Sequence, residues 1–304
     1  MSGRVAFLKG TLFLQLVWGV GAAGQVEPPL EGPYLGETPP GSSPTVFGAG
    51  VISGVNPIHG TPVFAPDGSE VFWSAVNPST GKVRILFMRN VRGSWSAPAV
   101  APFSRDYQND VPFMAPDGET LYFVSDRPVP WESPTDKQNI WLVRRTPDGW
   151  PEPTALDAVV NSISLHWQVS VTADGTLYFA TDGVGDIYSA AKLETGYARA
   201  MKLGNTVNTE TTECCPFVSA DGELLLFSRS TPDHGADLYA SFRTSTGSWS
   251  TAVNLGRGVN ADGHDLCPIV SPDGKYLFFL SNREGESAVY WVDMEVVQRI
   301  RRRR

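Results

Sequence analysis

Five polar residues recur at one spacing in this chain. His59, Asn109, His166, Glu213 and Asp265 each lie eight residues before the aspartate of an Asp-Gly pair. Asp110 and His264 stand beside two of them, so the group holds three of the four histidines. Imidazoles and carboxylates brought together can ligate a divalent metal, and His59, His166 and Glu213 are the candidate ligands. They can also serve as general acid and base, because imidazole titrates near neutrality and neighbours tune a carboxylate. The same side chains could instead tie neighbouring loops together through backbone hydrogen bonds, a role that suits the acids Glu213 and Asp265. No cofactor other than a divalent metal is indicated.

A second group closes three of the chain's apolar runs: Ser125-Asp126-Arg127, Ser228-Arg229 and Ser281-Asn282-Arg283, with Asn77 and Thr181-Asp182-Gly183 at the two equivalent places that lack the arginine. Arg127, Arg229 and Arg283 could present planar forks to the carboxylate or phosphate of a ligand. They could equally pair with Asp110, Glu213 or Asp265. Trp167 adjoins His166, and Trp131 lies in the long insertion after Arg127. Both could stack on a carbohydrate.

What must position these residues is a repeat. Five segments read as apolar run, Asp-Gly turn and second apolar run, with turn aspartates Asp67, Asp117, Asp174, Asp221 and Asp273 at steps of 50, 57, 47 and 52 residues. Asp-Gly between apolar runs signals a hairpin, since the turn needs positive φ. The aspartates therefore read as turn residues. A third run follows in each unit, as in Arg84-Ile-Leu-Phe87 and Asn139-Ile-Trp-Leu142, and four units add a Gly-aromatic turn ending at Trp95, Trp150, Tyr197 or Trp249. Four short strands per unit of roughly 50 residues describe the blade of a β-propeller. The fifth unit lacks a fourth strand, and Thr45-Val-Phe-Gly-Ala-Gly-Val-Ile-Ser53 resembles the missing one. The expected fold is all-β: a single propeller of five four-stranded blades over 45–298, closed by an N-terminal strand, with six blades the weaker count. Closure removes exposed sheet edges.

The pattern in Pro112-Phe-Met-Ala-Pro-Asp-Gly-Glu-Thr-Leu-Tyr-Phe-Val-Ser125 resembles the WD-repeat-like propeller units of TolB-type periplasmic proteins, over about residues 45 to 294. Unit three departs from it, with Val169 and Ala173 in place of prolines. The resemblance implies a propeller. It leaves the activity open, because related repeats serve in translocation scaffolds, peptidase propeller domains and lyases of acidic sugars. By analogy with other propellers, the ligand site is expected at the channel mouth where the loops enter the inner strands, opposite the Asp-Gly turns.

The chain ends carry their own signals. Arg4 and Lys9, the apolar run Thr11–Val20 and the small residues Gly21-Ala-Ala-Gly24 read as a signal peptide over 1–24, followed by an irregular strap over 25–44. The apolar run is too short for a transmembrane anchor. Arg299 and Arg301 to Arg304 read as a frayed basic tail over 299–304. These two ends hold seven of the 24 cations and no acid, so the body carries 17 cations against 32 anions, a net −15. Such a body argues against nucleic-acid binding. Cys214, Cys215 and Cys267 are too few for a disulfide framework. One pair could bridge in an oxidising compartment, or all three could be small buried residues.

No nucleophile elbow, phosphate-binding loop, zincin helix or Cys-x-x-Cys pair occurs. The sequence thus predicts a periplasmic or extracellular binding or scaffold module. Its partner would be a protein, peptide or polysaccharide held by channel-mouth loops. The alternative is a carbohydrate-active lyase or hydrolase with a His/carboxylate site at the channel.

Overall fold

The computed structural model describes residues 30–131, 137–163, 165–181, 185–233 and 235–303, with the side chains of 165–167 outside that description. The leader lies outside it as well. Each Asp-Gly pair joins the first two strands of an antiparallel unit. The turn glycines, Gly68, Gly118, Gly175, Gly222 and Gly274, have φ between 69° and 85°, where a Cβ would be strained. Each turn aspartate accepts the N–H two residues onward, from Ser69, Glu119, Thr176, Glu223 or Lys275.

Unit one pairs Val63–Phe64, Glu70–Val76, Val83–Val91 and Ala99–Val100. Unit two pairs Asn109–Met114, Thr120–Ser125, Asn139–Arg144 and Thr154–Ala155. Unit three pairs Leu165–Val171, Leu177–Thr181, Ile187–Ala190 and Met201–Lys202. Unit four pairs Glu213–Val218, Leu224–Thr231, Gly235–Phe242 and Val253–Asn254. Unit five pairs Gly263–Val270, Tyr276–Ser281 and Ala288–Asp293, and takes Thr45–Val46 onto its outer edge with Thr45 opposite Trp291. A short parallel pairing, Gly235 to Gly263 and Ala236 to His264, joins units four and five. The chain is an all-β propeller.

Second strands are covered on both faces by neighbouring units, which is why they read as unbroken apolar runs. Phe72, Phe123, Phe179, Phe227 and Phe279 are fully buried on them. Four of these rings stack on a third-strand aromatic: Phe72 on Phe87, Phe179 on Tyr188, Phe227 on Tyr239 and Phe279 on Tyr290. Trp150 of unit two packs edge-on against Phe72 of unit one, and Trp249 of unit four against Tyr178 of unit three. The turn aromatics thus couple units.

One hydrogen-bond device recurs in all five units. The third-strand amides of Ile85, Ile140, Ile187, Leu238 and Val289 donate to side-chain oxygens of Ser104, Asn161, Asn208, Asn260 and Ser53 at 2.8 to 3.0 Å. The carbonyls of the same residues accept from the N–H groups of Ala101, Leu156, Leu203, Leu255 and Phe47. In the first four units the partner follows in sequence, whereas in the fifth it comes from the N-terminal segment. The strap over this join is irregular: Pro33–Gly36 forms a 3-10 turn, and Tyr34 packs against Phe64, Tyr276 and Trp291.

The basic end differs from the expected frayed tail. Residues Glu295–Arg302 form a helix that begins before the expected boundary, with Val297 buried. Asp293 accepts the Glu295 N–H at 2.8 Å at its start, and Arg301 lies over Phe242 and 3.7 Å from Glu223 at its end. An apolar anchor and cations near the helix C-terminus favour that helix.

Candidate functional site

The inner strands start where the spacing places the polar group. Glu213 is fully buried on the first strand of unit four. Its Oε1 accepts from Arg229 Nε at 2.7 Å and the Thr209 hydroxyl at 2.6 Å, and its Oε2 from the Thr209 N–H at 3.0 Å. Asp265 repeats the arrangement in unit five, accepting from Arg283 Nη2 and the Ala261 N–H, both at 2.8 Å. Each guanidinium also donates to a loop carbonyl, Arg229 to Val207 and Arg283 to Val259. Arg229 lies over Tyr239 and Phe227, and Arg283 over Tyr290 and Phe279. The two carboxylates and two arginines therefore satisfy one another within their own units.

Unit two carries the same arginine without the acid. Arg127 donates to the Phe103 carbonyl at 2.9 Å and lies over Tyr107, Phe123 and Trp141. At the position of Glu213 and Asp265 stands Asn109, which is fully buried and donates to the Tyr107 carbonyl. Among the described residues neither Arg127 Nη1 nor Asn109 Oδ1 has a hydrogen-bond partner. Burial lowers the Arg127 pKa, against the raising influence of nearby acids.

Asp110 pairs with a histidine instead of an arginine. Its Oδ2 lies 2.6 Å from Nδ1 of the partly exposed His59, and its Oδ1 accepts the Val111 N–H at 2.7 Å. The hydrogen bond that the imidazole donates to Asp110 raises the His59 pKa and outweighs burial, which acts the other way. This contact lines a polar cleft of about 250 Å³ together with Gln108, Gln138 and Val83. His264 is exposed, and its N–H donates to Asn282 Oδ1 at 2.7 Å. The side chains of His166 and Trp167 lie outside the described residues, and Trp131 is exposed. Of the three metal candidates, His59 engages Asp110 and Glu213 engages Arg229. Among the described residues no cluster of three or more His, Cys, Asp or Glu side chains could hold a metal.

Sequence reasoning passed over two further sets of residues. The Asn161, Asn208 and Asn260 locks sit 13 residues before a turn aspartate, each preceded by valine, and that recurrence was a usable signal. A cation five or six residues before the turn aromatic is the other: Arg145 over Trp150, Lys192 over Tyr197 and Arg243 over Trp249. Glu70 collects Arg89, Arg145 and the Trp150 indole between units one and two.

At the Asp-Gly end of the axis lies a cavity of about 310 Å³. All five inner strands line it, with Val63, Phe113, Val171, Phe217 and Ile269 in the wall. The turn residues Pro66, Pro116, Ala220 and Pro272 form its rim and are exposed. This apolar mouth is opposite the face on which the polar group lies. The inner strands of units two to five each carry a bulge, marked by a register shift just before Phe113, Val169, Phe217 and Ile269.

No helix among the described residues is long and apolar enough to cross a membrane. No protein-family model and no curated protein sequence matches the chain. Among solved structures it is similar to TolB from Acinetobacter baumannii, with 15% identity over 79% of this chain and a TM-score of 0.54, and it spans 53% of that protein's length. It is also similar to a putative TolB from Agrobacterium tumefaciens, at 19% identity, TM-score 0.52, 79% of this chain and 78% of the other. The catalytic domain of a GH62 α-L-arabinofuranosidase from Coprinopsis cinerea shows the same likeness, at 14% identity, TM-score 0.54, 83% of this chain and 94% of the other. At these identities the likeness concerns fold alone: the chain has a β-propeller fold, an architecture found both in TolB proteins and in this glycosidase.

Proposed function

We propose that the protein is an exported binding module, periplasmic or extracellular, that takes a protein or peptide partner at its axial mouth. The observation that carries this reading is the apolar cavity walled by all five inner strands. A concave apolar site suits one inserted aromatic or aliphatic side chain. Each rim residue, Pro66, Pro116, Ala220 and Pro272, directly precedes a turn aspartate, so the partner's flanking residues would meet those carboxylates outside the cavity. Neutralisation of Glu213 and Asp265 by Arg229 and Arg283 supports a scaffold role for the opposite face. The test is a display screen of random peptides on the purified chain, alongside Ala220→Trp, which places a large side chain at the rim. The reading predicts enriched peptides that share one apolar anchor and bind the parent but not the variant. Enrichment of peptides without such an anchor, or equal binding to both proteins, would count against it.

A second reading rests on the His59–Asp110 contact beside a polar cleft. There a carbohydrate-active lyase or hydrolase could use the imidazole as acid or base, with a divalent cation as the cofactor that reading would employ. Its test is cleavage of arabinan and acidic polysaccharides, lost in His59→Ala and Asp110→Asn.

A further inference from the structure

Six residues before their turn aspartates, Cys215 and Cys267 occupy the same register on the inner strands of units four and five. Both are fully buried, and their sulfurs lie 3.0 Å apart. Each sits at a bulge with left-handed backbone, φ 53° and 54°. A non-glycine residue held there stores strain that the surroundings must impose.

Two neighbouring side chains hold this approach. The Gln168 amide of unit three donates to the carbonyls of Pro216 and Pro268, at 3.3 and 3.1 Å, which are the residues directly after the two cysteines. One planar amide thus spans both strands at the sulfur level. From unit one, the Thr61 hydroxyl donates to the Cys267 carbonyl at 2.5 Å. The third thiol, Cys214, is next in sequence to Cys215 and takes part in no contact with Cys267 among the described hydrogen bonds.

We infer that Cys215 and Cys267 form a disulfide that staples the inner strands of units four and five behind the axial mouth. The oxidant is a disulfide of low molecular weight or the active-site disulfide of an exchange enzyme. One thiol, as its thiolate, attacks the oxidant disulfide and releases the first reduced thiol. The other displaces the second, so that two cysteine thiols and one disulfide become one protein disulfide and two thiols. Burial pushes the Cys215 thiol well above its ordinary range, so exchange belongs to the stage of folding before the ring closes, when both thiols reach solvent. Export to an oxidising compartment would supply that chemistry.

The test is to refold the denatured chain with oxidised and reduced glutathione and map tryptic peptides without reduction. The expected product links the peptide ending at Arg229 to the peptide ending at Lys275. The same link should form in Cys214→Ser and be lost in Cys215→Ser and in Cys267→Ser. Oxidised protein should melt higher than reduced protein by on the order of 5–10 °C, given the loop of about 50 residues that the bond closes. Gln168→Leu should slow formation of the link without changing its identity. A link through Cys214, or three free thiols after refolding under these conditions, would overturn the inference. Cys214 and Cys215 share the peptide ending at Arg229, so fragmentation of the linked peptide between them assigns the bond on the parent chain, and the outcome does not depend on whether the cysteine variants fold.

Discussion

Ser53 and Val289 stand 236 positions apart, yet the Val289 N–H donates to the Ser53 hydroxyl at 3.0 Å in a fully buried contact. The hydroxyl in turn donates to the Phe47 carbonyl at 2.9 Å. In the other four units the equivalent acceptor is supplied by residues 19 to 22 positions away along the chain. The N-terminal segment therefore substitutes for an element that the fifth unit does not encode.

That closure makes the segment a stability element. Ser53→Ala leaves the buried Val289 amide without its acceptor and should cost about 1–3 kcal/mol. Phe47→Ala, which removes a buried ring packed on Phe278 and Trp291, should cost about 3–5 kcal/mol. Chemical denaturation read by tryptophan fluorescence measures both. An effect near zero for either would show that closure contributes little.

The buried ion pairs give a second prediction. Arg229→Met strips Glu213 of its counter-charge in a fully buried position and should destabilise by about 3–5 kcal/mol. The double variant Arg229→Met with Glu213→Leu should recover much of that loss, because no unpaired charge remains.

Unit two supplies the converse. Asn109→Asp places a carboxylate where Arg127 lacks the acid that Arg229 and Arg283 possess. We expect a higher melting temperature from this substitution, with Asn109→Leu lowering it. A fall in both would mean that Arg127 is already satisfied by the Phe103 carbonyl and its three rings.

The five turn aspartates set the acid limit. All five titrate below the ordinary carboxylate range. Hydroxyl donors lead for three: Ser69 on Asp67, Thr172 on Asp174 and Ser219 on Asp221. For Asp117 and Asp273 partial burial acts upward and is outweighed by N–H and O–H donors, from Glu119 and Thr120 and from Ser271 and Tyr34. A pKa lower in the folded state means stability present above the unfolded-state value and lost as pH falls through the folded one. In thermal melts the aspartates' contribution to stability should therefore be complete above about pH 5 and fall steadily toward pH 3. Asp117→Asn should flatten part of that slope.

His59 has the opposite sign. Its pKa is raised by Asp110, so its contribution is complete below the ordinary imidazole value near 6.5 and disappears as pH rises through the folded value. NMR titration of the imidazole should show the upward shift in the parent chain and its loss in Asp110→Asn.

Strand order and turns were readable because they depend on local chemistry: Asp-Gly demands a positive φ, and a strand covered on both faces must be apolar. The Thr45–Ser53 segment was also readable, since it matched the one run missing from unit five. The polar group was located in register, but its chemistry was not readable. Whether Glu213 faces a ligand or Arg229 depends on a side-chain distance between strands, and the repeat spacing carries no such distance. The Asn161, Asn208 and Asn260 locks escaped notice because asparagine in a turn has an ordinary explanation in the turn itself. The helical basic end was missed because Val297 and its packing neighbours are far apart in sequence. The apolar mouth was not foreseen either, since nothing in the spacing of Phe113 and Phe217 separates a residue that lines a cavity from one packed in the core.

The measurement that bears most directly on the account is calorimetric titration of an enriched, apolar-anchored peptide into three proteins: the parent, Ala220→Trp and His59→Ala. The account predicts that Ala220→Trp weakens binding at least about tenfold, the loss of a buried anchor worth roughly 1.4 kcal/mol or more, while His59→Ala binds as the parent does. Loss of binding in His59→Ala with Ala220→Trp unaffected would place the partner on the opposite face and contradict it.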